Sequence, residues 1–386
     1  MKLKQSPADF RVEELTAVTP SAGPFALYRL DKSGWTTPDA IGLVRRAWNL
    51  DAARVSTGGL KDRHAETTQH LTVWDGPARD FARPGVSLRY LGQTPAAFTS
   101  ADIAANRFVV TVRHLKPVNV ERATAAAAAV ERDGLPNYFD DQRFGSVAAG
   151  QPFIAREMVA GRFEAALRLA LAEPYEFDRP ADRKDKATLR GKWGDWPACK
   201  ASLGRGHARS LVDYLVHHPA DFRGAVARLR PELQGLYLSA YQSHVWNRTL
   251  DRWLRQAVPA DRLGGIGLKL GPVAVPVRPV DLPPLPLPSA RLKPPPDAPW
   301  LPALAAVLAD DGLTLEGMRI PGLDKPFFSR GERPTVIRPV GLTADPGDDE
   351  ANRGRLKLVL RFDLPRGSYA TVVVKRLTAF TGPPAA

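Results

Sequence analysis

Late in the chain, Leu356, Leu358, Leu360, Phe362 and Leu364 alternate strictly with Lys357, Val359, Arg361 and Asp363. An apolar residue at every second position marks a strand with one buried face. The same chemistry recurs in the first 150 residues. Phe108, Val110 and Val112 share one face of a strand over Arg107 to Arg113, and Phe25–Leu30, His70–Trp74 and Val86–Leu91 also read as strands. Helical patterns lie between them. Thr37 is placed to cap a helix with Pro38 at its first position, and Ile41, Val44 and Trp48 then recur at helical spacing. An alanine-rich helix runs from about Val120 to Arg132 and is stopped by Gly134 and Pro136. This mixed order predicts a sheet layered with helices.

Between about residues 150 and 335 the texture changes. Helical patterns dominate, as in Phe163 to Leu171, and a stronger one carries Tyr237, Ala240, Tyr241, His244 and Val245 on one face. The segment from Pro272 to Pro302 then holds 12 prolines in 31 residues. Proline fixes φ and lacks a donor, so this stretch is expected to be extended or polyproline-II-like rather than a central strand or a helix. Gly264-Gly265-Ile266-Gly267 lacks phosphate-loop spacing and reads as a turn. Near the end, Gly367-Ser368-Tyr369 leads either into a helix or into another strand. Sheet chemistry on both sides of a helical, proline-rich middle predicts one domain inserted into another. The expected boundaries are 1–148 and 339–386 for the outer domain and 149–338 for the insertion, with the proline-rich segment 272–302 inside it.

The length of 386 residues suits two such domains. With 54 Lys+Arg against 41 Asp+Glu the net charge is +13, which favours a polyanionic partner, nucleic acid first. A single cysteine, Cys199, excludes an internal disulfide and multi-cysteine metal sites. The start, Met1-Lys2-Leu3-Lys4-Gln5, has no apolar core of a signal peptide, and no uncharged apolar run approaches the roughly 20 residues of a membrane helix. The expectation is a soluble, cytoplasmic, basic protein. There is no P-loop, no dinucleotide fingerprint and no His-Glu-x-x-His, and the scattered histidines, His217-His218 included, do not form a metal site.

Three polar segments stand out. Gly58 to Gln69 sets Asp62 between Lys61 and Arg63, beside His64, in glycine-rich surroundings ahead of a strand. Cationic neighbours favour the charged form of an aspartate, which can serve as nucleophile or base. The same run also fits a solvated loop. Leu135 to Gly145 gathers Asn137, Tyr138, Phe139, Gln142, Arg143 and Phe144 after a helix end. Flat rings and guanidinium groups stack on unpaired bases and amides read base edges, although a core aromatic pair has the same composition. Arg179 to Arg209 carries 9 Lys+Arg against 3 Asp, with Trp193 and Trp196 interleaved, which suits an RNA backbone or a basic loop over buried tryptophans.

Taken together these residues resemble the TruD family of RNA pseudouridine synthases. Gly59-Leu60-Lys61-Asp62-Arg63-His64-Ala65 is similar to its signature. In the family's order, so are Lys4 to Phe10 with Val12-Glu13-Glu14, Asn137-Tyr138-Phe139 with Gln142-Arg143-Phe144-Gly145, and Leu364 to Thr371. Leu238-Ser239-Ala240-Tyr241-Gln242-Ser243 resembles a helix of the family's insertion. The resemblance implies an α/β (α+β) fold: a catalytic domain with a mixed, largely antiparallel sheet, interrupted by an inserted TRUD domain. It implies isomerisation of uridine to pseudouridine in transfer RNA, at position 13 in bacterial members, with no cofactor and no metal.

Carried over residue by residue, the resemblance makes Asp62 the catalytic aspartate and Lys4 its ion-pairing partner. It places Phe10, Phe139 and Tyr369 around the uracil with Asn137. Lys61, Arg63, His64 and Arg143 are candidate RNA contacts. Tyr369 stands where phenylalanine is common, so its hydroxyl needs a partner or water. Asp140-Asp141 replaces a small neutral pair and would repel phosphate unless partnered by Arg143 or a neighbour. No membrane and no obligate protein partner are expected, and the chain is expected to act as a monomer. Competing readings are a basic RNA chaperone on the same scaffold without turnover, pseudouridylation of another RNA, and a methyltransferase or deaminase. The last two need a cofactor loop or a zinc site, and the sequence shows neither.

Overall fold

The computed structural model describes residues 1–147, 150–175 and 178–383. Along the chain, a 3₁₀ turn (Pro7–Asp9) leads into β1 (Phe10–Thr16) and β2 (Phe25–Ser33). Then come α1 (Thr37–Trp48), β3 (Val55–Thr57), β4 (Glu66–Trp74), β5 (Phe81–Arg83), β6 (Val86–Thr94) and β7 (Ile103–Leu115). α2 (Pro117–Asp133) and the short β8 (Leu135–Pro136) end this stretch. The middle is helical: α3 (Ile154–Val159), α4 (Phe163–Leu171), α5 (Pro180–Gly191), α6 (Trp196–Ser202), α7 (His207–His217), α8 (Phe222–Ala227) and α9 (Pro231–Ala257). It continues through β9 (Leu263–Leu268), β10 (Gly271–Pro276), β11 (Leu285–Pro286), α10 (Leu301–Asp310) and β12 (Glu332–Arg333). β13 (Val336–Ile337), β14 (Val340–Asp348), β15 (Leu356–Pro365) and α11 (Ala370–Thr378) follow.

The chain divides into two compact units. The first comprises Met1–Asn137, Arg278–Val280 and Val336–Phe380, and the second Tyr138–Val277, Asp281–Thr335 and Thr381–Ala386. The first unit is built on a nine-stranded sheet in the order β14-β15-β7-β1-β4-β2-β6-β5, with β3 added on β4. The β1–β4 pair is parallel and the other pairs are antiparallel. The amphipathic run near the C-terminus is β15. It lies beside β7 with Phe362 opposite Phe108 and Leu360 opposite Val110, so the two patterns share one buried face.

Helices cover that face at its two ends. α1 sets Ala40 and Val44 against Tyr28, Leu30, Leu71, Val73 and Leu88 of β2, β4 and β6. α2 packs on β14, β15 and α11. It stops at Gly134, whose φ is +77° and whose missing Cβ would stand 2.6 Å from the Ile337 carbonyl oxygen, so the turn needs glycine. Between the two helical layers, β1 carries Phe10, Val12 and Glu14 on its buried side. Phe10 meets Phe108 edge-on at 6.1 Å, and Phe108 stacks on Phe362 at 5.6 Å.

Two local expectations are corrected. α1 is capped by Thr36, whose hydroxyl accepts from the Asp39 N–H at 3.2 Å, and Thr37 is the first helical residue. Gly264-Gly265-Ile266-Gly267 is not a turn but part of β9, paired with β10 from Leu263 opposite Pro276 to Leu268 opposite Gly271. Gly265 also exchanges both backbone hydrogen bonds with Thr381, at 2.9 Å each, in the second unit. The proline-rich segment accordingly begins as a strand of a two-stranded hairpin, where proline's missing donor is tolerated at an edge. In the same unit, α9 buries Tyr237, Ala240, Tyr241 and Val245. Among the described residues no helix is long and apolar enough to cross a membrane.

Candidate active site

The segment between β3 and β4, residues 58–65, has no regular secondary structure, so its backbone groups need partners from elsewhere. The first unit supplies them from α1, β4 and β2, and holds the Lys61 side chain from β1 and β7. Thr37, at the start of α1, accepts from the Lys61 N–H at 2.9 Å and donates to Gln69 Oε1 at 2.8 Å. Gln69 on β4 in turn donates to the Gly59 carbonyl at 3.2 Å and to the Thr57 hydroxyl at 3.0 Å. Lys32 on β2 donates to the carbonyls of Asp62 at 2.9 Å, Trp35 at 3.0 Å and Lys61 at 3.3 Å. The Lys61 ammonium turns inward to Glu14 of β1, 3.1 Å away, and to Asn106 of β7, 2.6 Å away. Glu14 holds its other oxygen on the His70 N–H at 2.9 Å. A side chain on Gly58 would meet Ile103 at 2.6 Å, so the loop leaves β3 against β7.

Asp62 projects from this fixed backbone with its side chain 42% exposed, open to a ligand. Its Oδ2 forms an ion pair with the Lys4 ammonium, which also lies 4.2 Å from the centre of the Phe10 ring. Lys4 has a φ of +54°, a conformation that costs a non-glycine residue about 1 kcal/mol or more. The surroundings hold it there. Lys2 exchanges two backbone hydrogen bonds with Arg113, at 2.8 and 2.9 Å. Asp9, in the turn that follows, accepts from Arg113 Nε at 2.8 Å. The same guanidinium reaches Asp349 and Glu350, each at 3.0 Å, so one arginine ties the N-terminal segment to the far end of β14.

Burial lowers the pKa of Lys32 to about 8; the Asp62 charge opposes that shift and the Lys61 charge adds to it. Asp349 and Glu350 are both held down near about 2. For Asp349, burial works against the shift and hydrogen bonds from His114, Asn352, Arg113 and Ala351 outweigh it. For Glu350, the Arg113 and Lys357 hydrogen bonds produce it.

The structure brings Lys4, Phe10 and Asp62 together. Asn137 is buried at the end of the first unit, and Tyr369 is half-buried where α11 begins. Arg63 and His64 are exposed beside Asp62, and Arg63 donates to the Gly34 carbonyl at 3.1 Å. Lys61, grouped above with the RNA contacts, has its ammonium engaged by Glu14 and Asn106.

Phe139 and Arg143 belong to the second unit. There Asn247 of α9 clamps the Phe139 backbone, accepting from its N–H at 2.9 Å and donating to its carbonyl at 2.8 Å. The Phe139 ring meets Trp246 edge-on at 5.5 Å and carries Arg333 at 4.2 Å and Arg143 at 5.3 Å. Asp140 is buried, and Asp141 accepts from the Lys269 N–H at 2.7 Å. Asp141 is therefore tied to the second unit's own backbone.

Sequence reasoning missed Glu14, Lys32, Thr37, Gln69 and Asn106 as builders of the loop. A signal was present for two of them. Phe10, Val12 and Glu14 share one parity, as do Tyr28, Leu30 and Lys32, so each strand places a charge in its apolar row.

The model of the family described as tRNA pseudouridine synthase D (TruD) matches residues 1–264 and 285–377. The "Probable tRNA pseudouridine synthase D 2" of Methanocaldococcus jannaschii is 29% identical, over 99% of this chain and 92% of its own length. The "Probable tRNA pseudouridine synthase D" of Methanosarcina mazei is 30% identical, over 97% of this chain and 92% of its own. A crystal structure described as that of a TruD protein from Methanosarcina mazei superposes with a TM-score of 0.72 at 25% identity, covering 99% of this chain and 94% of its own. With a family match over most of its length, mixed α+β architecture in common, and an aspartate presented within the signature loop, the chain belongs to the tRNA pseudouridine synthase D (TruD) family.

Proposed function

We propose that the chain, a tRNA pseudouridine synthase by family, uses Asp62 as its catalytic carboxylate, acts on the uridine at position 13 of transfer RNA, and needs no cofactor. The observation that carries this is the half-exposed Asp62 carboxylate, paired with Lys4 on a loop held by Lys32, Thr37, Gln69, Glu14 and Asn106. In the reaction the N1–C1′ bond breaks and a C5–C1′ bond forms. C5 loses a proton and N1 gains one, so no electrons enter or leave. The nucleotide is flipped out of its stack to reach the carboxylate. Asp62 then attacks C1′, adds to C6 or removes the 2′ hydrogen, while Lys4 keeps the carboxylate charged and aimed.

The roles of Asn137, Phe139 and Tyr369 in holding the base come from the family resemblance, with about 1–3 kcal/mol expected per stacking contact. We assign the first unit to catalysis and the second to the inserted TRUD domain. A tRNA substrate supports a cytoplasmic location, and the enzyme is taken to act as a monomer, which sedimentation at assay concentration checks. The net charge of +13 supports a polyanionic substrate, with binding that weakens steeply in salt.

The test is release of tritium from transfer RNA labelled at uracil C5, without cofactor and with chelator present, followed by mapping of the modified position. Release by the wild type and none by Asp62→Ala is the expected result. Wild-type rates from Asp62→Ala remove the proposed mechanism, and a modified uridine elsewhere removes the assignment to position 13.

A further inference from the structure

Among the described residues, Lys32 is the only buried lysine, and the strand pattern places it in the core. It continues the row of Tyr28 and Leu30 along β2, facing α1, and is 3% exposed. An ammonium in such a place is costly unless its donors are taken. It has three N–H groups, and three carbonyl oxygens stand within reach: Asp62 at 2.9 Å, Trp35 at 3.0 Å and Lys61 at 3.3 Å. A neutral amine has only two N–H donors and would turn a lone pair toward one of those oxygens. All three acceptors belong to irregular backbone, two of them to the loop that carries Asp62.

We propose that Lys32 is the positioning residue of the catalytic loop: by gathering the carbonyls of Lys61, Asp62 and Trp35 on one ammonium, it fixes the peptide from which the Asp62 side chain projects. The inference rests on Asp62 being the catalytic carboxylate. Loss of the ammonium leaves the RNA-binding surface intact and lets the carboxylate rotate out of line, so turnover falls while RNA affinity holds. The charges that act on Lys32 are those of Asp62 and Lys61 in the loop, the first paired with Lys4 and the second with Glu14 of β1. Across β2 its register partners are Thr67 and Val86, which do not titrate in this range.

The test is the single-turnover rate of tritium release at saturating enzyme, per folded molecule, together with the Kd for the same RNA. Lys32→Met is expected to slow turnover by about 10- to 100-fold, the equivalent of one lost charge-assisted hydrogen bond, with Kd within about twofold of wild type. Lys32→Arg, which keeps a charge, is expected to restore part of the rate. Wild-type turnover is expected to fall as pH rises through about 8, where Lys32 loses its proton, and in Lys32→Arg the fall moves up by more than a unit because guanidinium stays charged.

A folded Lys32→Met that turns over at the wild-type rate overturns the proposal. If that variant does not fold, the pH profiles decide: a coincident alkaline limb in wild type and Lys32→Arg, or a flat wild-type profile from pH 7 to about 9.5, overturns it equally. Asp62→Asn runs alongside. An inactive Asp62→Asn with a normal Lys32→Met refutes the role of Lys32 alone, whereas an active Asp62→Asn refutes the site on which that role depends.

Discussion

Replacing Lys61 with methionine tests whether the catalytic loop is held by the ion pair beneath it. The Glu14 side chain is 0% exposed and its Oε1 lies 3.1 Å from the Lys61 ammonium. At an effective dielectric constant of about 20 the attraction at that distance is about 5 kcal/mol, against which both ions have been desolvated. Methionine fills much of the same volume but leaves the desolvation of Glu14 uncompensated, and its remaining hydrogen bond is the His70 N–H. The expected cost is about 3–5 kcal/mol, a large share of a domain's total stability. Since two units need not unfold together, the assay is amide hydrogen exchange in peptides from β1, β2 and β4, whose most protected amides report the opening free energy of the first unit. Adding Glu14→Gln removes the stranded charge yet keeps an oxygen for His70, so the double variant should recover most of the loss. A single-variant cost under about 1 kcal/mol, the range of exposed pairs, would refute the reasoning. A double variant as unstable as the single one would instead locate the effect in the Asn106 contact.

Three further outcomes follow from the same geometry. Asp349 and Glu350 are held near about 2 in the folded chain, below their ordinary values of 3.8 and 4.5. Their contribution is therefore complete above about 4.5 and is lost as pH falls toward 2; exchange protection in β7 and β14 should decline over that window in the wild type and be flatter in Arg113→Met. Gly134→Ala should lower the first unit's stability by about 2 kcal/mol or more, because the φ of +77° disfavours a side chain and the new Cβ meets the Ile337 carbonyl; a change within 0.5 kcal/mol, about the spread of neutral surface substitutions, would contradict it. Asn247→Leu should strand the buried Phe139 N–H and carbonyl at about 1–3 kcal/mol each, read as faster exchange of the Phe139 amide.

Much of the first unit was legible because its strands obey a period of two. Leu356 to Leu364 and Phe108 to Val112 each show one apolar face, and the fold lays those faces side by side. The site was legible only where a motif names it. Lys4 and Asp62 are 58 positions apart, and no local pattern pairs them; the family resemblance did. What stayed hidden depends on contacts between distant segments. Thr36 and Thr37 are equally good caps in sequence, and the choice falls to Thr36 because the Thr37 hydroxyl is already held by Gln69 and the Lys61 N–H. The glycines at 264, 265 and 267 lie in a strand because β10 and Thr381 offer them backbone partners, which turn propensity does not see.

Among the buried polar residues in the apolar rows of β1, β2 and β4, Glu14, Lys32 and Gln69 each serve the loop of Asp62 directly or through Lys61. Departures from the core pattern are expected where function requires them. Lys32 allows this to be tested as a conflict between stability and turnover. Its pKa falls from 10.5 to about 8 on folding, so between those values the unfolded chain binds more protons than the folded one. Stability from this group therefore rises as pH goes from about 8 toward 10.5, by up to about 3 kcal/mol, while the third donor to the loop is being lost. Exchange protection in β2 and turnover should move in opposite directions over that range, measured as the difference between wild type and Lys32→Met. If both fall together, the ammonium stabilises the folded unit as a whole and the loop has no special claim on it.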